Sequence, residues 1–239
     1  MDFRKSDAIG FIVTNNPEAA SIFNYYGIDF YSRGDRTLED ACIEDNVPMP
    51  HLIEELYELN DRSDAAPNFA SMNMVALATY ILRTHHKFTE KKLVFIKNTL
   101  DRLMWSYGET DRNVVLLSEM FEELSVYLRV HMKHEEFIVF PNILKMVRTS
   151  RTNASFWQTV RDPISSMMHD HSFEVDTLKR LADLTNNYTP PQKSDYALDL
   201  TYKSMKELEE DLKMHMHLEN NILFPRALDY SHASGNQIN

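Results

Sequence analysis

Two segments of the chain repeat one pattern of residues at helical spacing, and that repeat constrains the fold more than any other feature. His131-Met132-Lys133-His134-Glu135 runs on to Phe140-Pro141, and His215-Met216-His217-Leu218-Glu219 runs on to Phe224-Pro225. His, Glu, Phe and Pro fall at offsets 0, 4, 9 and 10 in both copies, which lie 84 residues apart. Ahead of them stand His85 and His171, themselves 86 residues apart. Residues four apart share a helix face. The expectation is therefore two helical hairpins from one duplication, each with a single-His helix and a His-x3-Glu helix.

Glycine usage agrees. The chain has five glycines in 239 residues, about 2% against roughly 7% in average proteins. Folds rich in tight turns need more. The five are also too scattered for a phosphate-cradling loop or a dinucleotide fingerprint. The fold class expected is all-α: an antiparallel four-helix bundle with a small N-terminal helical domain. Helical patterns cover roughly 70–106, 111–147, 163–185 and 194–227, with stop signals at Gly108, over 149–162, and at Asn186-Asn187-Tyr188-Thr189-Pro190-Pro191. Short connections between long helices most simply give antiparallel neighbours.

The first 60 residues form a separate compositional unit. A short helix is expected after Asn16-Pro17-Glu18, ending near Gly27. An irregular stretch follows, then a helix capped by Thr37, then another over His51 to Leu59. The breaker-rich run Asn60 to Asn68 marks a boundary. The expected division is 1–60 for the N-terminal domain, 61–69 for a linker, 70–230 for the bundle and 231–239 for a flexible tail.

Charge and cysteine usage narrow the partners. Lys+Arg 25 against Asp+Glu 36 gives a net charge of −11, which argues against general nucleic-acid binding. The longest apolar stretch, around Met74–Leu82, is too short to cross a bilayer. The N-terminus lacks the apolar segment and cleavage site of a signal peptide, so a cytoplasmic location is expected. The single cysteine, Cys42, excludes a disulfide framework and a Cys-based zinc ribbon. It reads as a buried thiol of ordinary reactivity.

Helix phase selects the inward polar residues. On regular α geometry His85 aligns with Ala78, Ile81, Leu82, Phe88 and Ile96. His131 aligns with Leu124, Leu128, Glu135 and Ile138. His171 aligns with Ile164, Met167, Met168, Val175 and Leu178, and His215 with Leu208, Leu212, Leu218, Glu219 and Ile222. His86 and His169 fall on polar faces and read as solvent-side, while His134 and His217 are left open between surface and supporting positions. Four His and two Glu on core faces would destabilise a bundle unless something binds them. A pair of metal ions does so: the candidate ligands are His85, His131, Glu135, His171, His215 and Glu219. Nitrogen and oxygen donors in this proportion suit non-haem iron ahead of manganese or zinc. Phe140-Pro141 and Phe224-Pro225 read as structural, the Phe in the core and the Pro bending or finishing its helix.

These residues resemble the hemerythrin-like His-His-Glu cation-binding superfamily, and more closely the RIC family, repair of iron centres. The likeness spans Tyr26-Gly27-Ile28-Asp29-Phe30, Arg83-x-His85, His131-x3-Glu135, Asp170-His171, the Asn186–Pro191 loop and His215-x3-Glu219-Asn220-Asn221 with Phe224-Pro225-Arg226. It implies the same six ligands, with Glu135 and Glu219 bridging two iron ions in a non-haem, oxo- or hydroxo-bridged centre. It also implies repair of iron–sulfur clusters under nitric oxide or oxidative stress. The partners implied are damaged iron–sulfur proteins and the small ligands O2 or NO, with no nucleic acid and no membrane. One feature departs from the family. Its members carry two adjacent cysteines after the Asp-aromatic step, where this chain has Tyr31-Ser32. Without thiols, the roles left to the N-terminal domain are docking on the bundle, covering an access route or forming a homodimer. A di-iron sensor or carrier of O2 or NO, without repair activity, is the alternative function.

Overall fold

The computed structural model describes residues 3–60, 67–149 and 154–235. Among these the secondary structure is helical, apart from an isolated antiparallel bridge between Ala8 and Thr37. No helix of the described residues is long and apolar enough to cross a membrane. The expected linker falls largely on 61–66 and the end of the expected tail on 236–239, outside the described residues.

The helices are α1 (Ile9–Asn15), α2 (Ala19–Tyr26), α3 (Leu38–Glu44), α4 (Met49–Asn60), α5 (Met74–Ile81), α6 (Lys87–Tyr107), α7 (Arg112–His134), α8 (Phe140–Thr149), α9 (Ala154–Leu184), α10 (Tyr196–Leu218) and α11 (Phe224–Gly235). Three π-helical turns, Leu82–His86, Glu135–Val139 and Glu219–Leu223, join α5 to α6, α7 to α8 and α10 to α11. Among the described residues the contacts divide the chain into two compact units, one from 3–60, 67–79, 154 and 213–235, the other from 80–149 and 155–212.

The second unit holds the four-rod core. Its rods bury Leu93, Ile96, Leu100 and Leu103 on α6, and Leu117, Phe121, Leu124 and Leu128 on α7. Ile164, Met167, Leu178 and Leu181 are buried on α9, and Met205, Leu208 and Leu212 on α10. The three- and four-residue spacing of these side chains is the apolar stripe of a bundle helix. Polar links tie the rods together as well: Tyr127 donates to the Asp170 carbonyl at 2.9 Å, and Lys92 pairs with Glu207. The turn between α6 and α7 is set by Asp111, whose side chain accepts from the backbone N–H of Asn113 at 2.9 Å. At the end of α9, Asn186, Asn187 and Tyr188 all take left-handed backbone angles, and Thr185 Oγ1 accepts from Tyr188 N at 3.1 Å.

Helix α9 starts at Ala154, well before the expected 163, and carries Pro163 inside it. A helical proline leaves the carbonyl four residues earlier without its N–H donor. Here that carbonyl belongs to Thr159, and the Asn142 side-chain amide donates to it at 2.8 Å. Neither Pro141 nor Pro225 finishes its helix: α8 and α11 continue past them, each after a π-helical turn.

In the first unit, Thr37 caps α3 as expected, accepting from Asp40 N at 3.1 Å, and Gly27 ends α2 with φ 72°. Helix α1 was not foreseen; its run IGFIVTN is short and offers little periodicity. Its Gly10 N–H donates to the Gly34 carbonyl at 2.8 Å. The N-terminal helices lean on the start of α11 and the turn before it. Asn220 Nδ2 donates to the Tyr31 carbonyl at 3.1 Å, Asn221 Nδ2 to the Phe30 carbonyl at 3.1 Å, and Arg226 to the carbonyls of Met72 and Ala70 at 2.6 and 2.9 Å. Within this unit the carbonyls of Phe30 and Tyr31 thus accept from the turn that follows Glu219.

Candidate metal centre

The two copies of the repeat fold alike at the backbone. In each, an α-helix carries the His and gives way at the Glu to a five-residue π-helical turn, which ends just before Phe-Pro. The side chains match too: His131 Nε2 lies 3.1 Å from Glu135 Oε1, and His215 Nε2 lies 3.1 Å from Glu219 Oε1. Both glutamates are 0% exposed. Such a turn inserts a residue relative to α geometry and is frequent at functional sites.

In the four-rod unit, donor atoms of His131, Glu135 and His171 lie within 4.8 Å of one another, and the imidazoles of His131 and His171 stand 5.1 Å apart between centroids. Glu135 is also within that reach of His86, whose Nε2 is 3.3 Å from Glu135 Oε2. In the first unit, His215 and Glu219 are both buried. Buried carboxylates and imidazoles gathered this closely have the chemistry of a metal site that suits iron.

Carboxylates stand behind the imidazoles. Nδ1 of His131 faces Glu174 at 3.6 Å, Nδ1 of His85 faces Asp211 at 2.9 Å, and Nδ1 of His86 faces Glu136 at 3.1 Å. Asp211 and Glu136 are within hydrogen-bond reach, and such partners fix the tautomer and leave Nε2 for the metal. Burial works to raise the Glu136 pKa, but hydrogen bonds from Lys133 and His86 outweigh it and hold the carboxyl below its ordinary range. The Tyr127 ring stacks along His131 at 6.1 Å, and burial pushes its phenol well up, so it stays protonated.

Sequence phase located His131, Glu135, His171, His215 and Glu219 on buried faces, and all five are buried. His85 is buried as well, but its donor atoms are not among those grouped around Glu135; the neighbouring His86 takes that position. The solvent-side reading of His86 is corrected: it is 2% exposed. The π-helical turn Leu82–His86 explains this, because i→i+5 bonding rotates the chain less per residue and lets two adjacent side chains face inward. The same effect exposes Ile138 at 43% and buries Val139 at 1%. Glu174, three residues after His171, was missed; a lone Glu at that spacing carries no signal until His131 is seen beside it. His169 is exposed as expected and His134 is half-buried.

His217, left open in the sequence, is fully buried in the first unit. Asn221 Nδ2 donates to its Nδ1 at 3.1 Å, and its Nε2 is 3.3 Å from Thr14 Oγ1. Burial lowers its pKa to about 4, against a smaller opposing effect of the Phe30 backbone. Cys42 is buried, and burial, with Asp45 second, raises its thiol pKa. This agrees with the expected buried thiol, and neither effect on its pKa is activating.

Residues 77–227, nearly two thirds of the chain, match the family model of the hemerythrin HHE cation binding domain. The chain belongs to the hemerythrin HHE family. Residues 5–60 of this hemerythrin-family protein match a second model, ScdA_N, a domain of unknown function (DUF542). The two together make it a member of the repair-of-iron-centres family. An iron-sulfur cluster repair protein ScdA of Staphylococcus haemolyticus is 27% identical over 213 residues, covering 89% of this chain and 94% of that one. An iron-sulfur cluster repair protein YtfE of Musicola paradisiaca is 28% identical over 232 residues, covering 95% and 98%. A probable iron-sulfur cluster repair protein of Haemophilus influenzae is 28% identical over 222 residues, covering 89% and 92%.

Proposed function

We propose that this protein carries a non-haem di-iron centre and uses it to repair iron–sulfur clusters damaged by nitric oxide or oxidants, in the cytoplasm. The observation that carries this reading is the near full-length match, N-terminal domain included, to proteins named for cluster repair. His131, His171 and Glu135 hold one ion, and His215 and Glu219 supply the same donors from the second copy of the repeat. The adjacent pair His85–His86 provides the remaining imidazole: the family resemblance favours His85, and proximity to Glu135 favours His86. Bound there, iron would supply a redox-active Lewis-acid pair able to take small ligands such as O2 or NO.

The chain's own residues shape that chemistry. Asp211 and Glu136 orient imidazoles through Nδ1, which raises their basicity toward a metal, and Glu174 sets a negative charge 3.6 Å from Nδ1 of His131. Leu128, Met132, Ile164 and Leu212 are buried on the same rods and limit water around the donors. Repair here proceeds without the family's thiol pair, since Tyr31-Ser32 stands in its place and both residue types lack exchange chemistry. The missing thiols are also what favours a second reading, a di-iron sensor or carrier of O2 or NO.

Incubation of the iron-loaded protein with an iron–sulfur hydro-lyase inactivated by nitric oxide tests the choice. Repair predicts recovery of the hydro-lyase that depends on His131 and Glu135. Recovery no faster than with free ferrous iron would leave the sensor reading.

A further inference from the structure

One ligand of the cluster is not sealed in. His131 is backed by Glu174, which is itself 1% exposed. His86 is backed instead by Glu136, whose side chain is 23% exposed, and the other Glu136 oxygen is held at 2.6 Å by Lys133 Nζ, on a side chain 51% exposed. Glu135, His86, Glu136 and Lys133 thus form one continuous polar path from the buried carboxylate to the surface, with steps of 3.3, 3.1 and 2.6 Å. Its walls are the π-helical turns Leu82–His86 and Glu135–Val139. Apolar side chains flank it, the Phe140 ring lying 5.9 Å from the His86 imidazole.

We propose that Glu136, gated by Lys133, is the transfer ligand through which ferrous iron enters and leaves the cluster by way of His86. The proposal rests on the di-iron reading above. A divalent ion crossing from water to a buried site needs oxygen donors along the route to replace its hydration shell. Glu136 is the carboxylate that touches both a cluster imidazole and solvent-exposed charge. Lys133 occupies the same oxygen position an incoming cation would take, so each transfer requires its ammonium to swing out, which its flexible, half-exposed stem permits. The step is a ligand exchange: a carboxylate oxygen of Glu136 replaces water on the ion, and the His86 ring then swings so that its unprotonated Nε2 replaces the carboxylate, Nδ1 keeping its proton and the iron its oxidation state.

Glu136→Gln and Lys133→Met test the proposal against the wild-type protein, with Asp211→Asn as the control for a route past His85. Gln keeps an acceptor for His86 Nδ1 but loses the charge. Ferrous iron loading of the full-length apoprotein and release to an external chelator are followed by stopped-flow absorbance, with iron content determined separately. Loss of the Glu136 charge behind His86 also weakens iron binding, so rates are compared at saturating ferrous iron. The expected result there is full occupancy in both variants. Loading and release should be at least about fivefold slower in Glu136→Gln, where weakened binding alone would speed release, and loading faster and less salt-dependent in Lys133→Met. Unchanged rates in both, or slowing in Asp211→Asn alone, would overturn the route. A wild-type protein that takes up no iron at all would instead overturn the di-iron reading itself.

Discussion

The carboxylate of Glu174 lies 3.6 Å from Nδ1 of His131, on side chains 1% and 2% exposed. The pair joins α9 to α7 and puts a fixed negative charge behind a ligand. Glu174→Gln removes the charge and keeps the shape. Iron affinity should fall roughly 10–100-fold, measured by competition with a chelator of known affinity, while the apoprotein retains its helical circular dichroism. An unchanged affinity would show that Glu174 only fills space.

His217 gives the apoprotein an acid-sensitive element. Its pKa is about 4 in the fold and about 6.5 in an unfolded chain. Between these values the unfolded state binds the extra proton, so stability is complete above about pH 6.5 and is lost as the pH falls toward 4. The loss amounts to at most about 3 kcal/mol over that window. His217→Gln should flatten the dependence of unfolding free energy on pH between 6.5 and 4, read by urea titration of metal-free protein. A slope identical to wild type would contradict it.

Much of the architecture was legible in the sequence because it depends on α periodicity. The duplication, the long rods, the Thr37 cap and the inward His131, Glu135, His171, His215 and Glu219 all follow from residues three, four and seven apart. What was illegible follows from places where that period fails. The π-helical turns shift phase by one residue, and neither His86 nor the exposed Ile138 can be placed by counting from a regular helix. Asn142 hides the start of α9 in the same way, since it satisfies from another helix the carbonyl that Pro163 leaves. Glu174 and His217 acquire meaning only from residues distant in the chain.

The Asn142–Pro163 relationship is open to a double-mutant cycle. Asn142→Ala should cost about 0.5–1.5 kcal/mol in the wild-type background and less in a Pro163→Ala background, where residue 163 regains the N–H that bonds the Thr159 carbonyl. Equal costs in the two backgrounds, measured by chemical denaturation, would mean that the amide contributes nothing to tolerating the proline.

Gly34 is where the N-terminal helices approach the turn after Glu219. A Cβ there would stand 2.3 Å from Asn221 Oδ1 and 2.7 Å from the Phe30 carbonyl oxygen. Gly34→Ala should destabilise the protein by about 1–3 kcal/mol and disturb the Asn221–Phe30 bond. A melting temperature equal to wild type would show that the segment shifts without cost.

The metal content of protein purified without oxygen tests the di-iron centre most directly. Elemental analysis with ultraviolet–visible spectra should find two iron ions per chain, lost in Glu135→Ala and in Glu219→Ala. Iron absent from the wild type, or retained when both glutamates are replaced together, would contradict it.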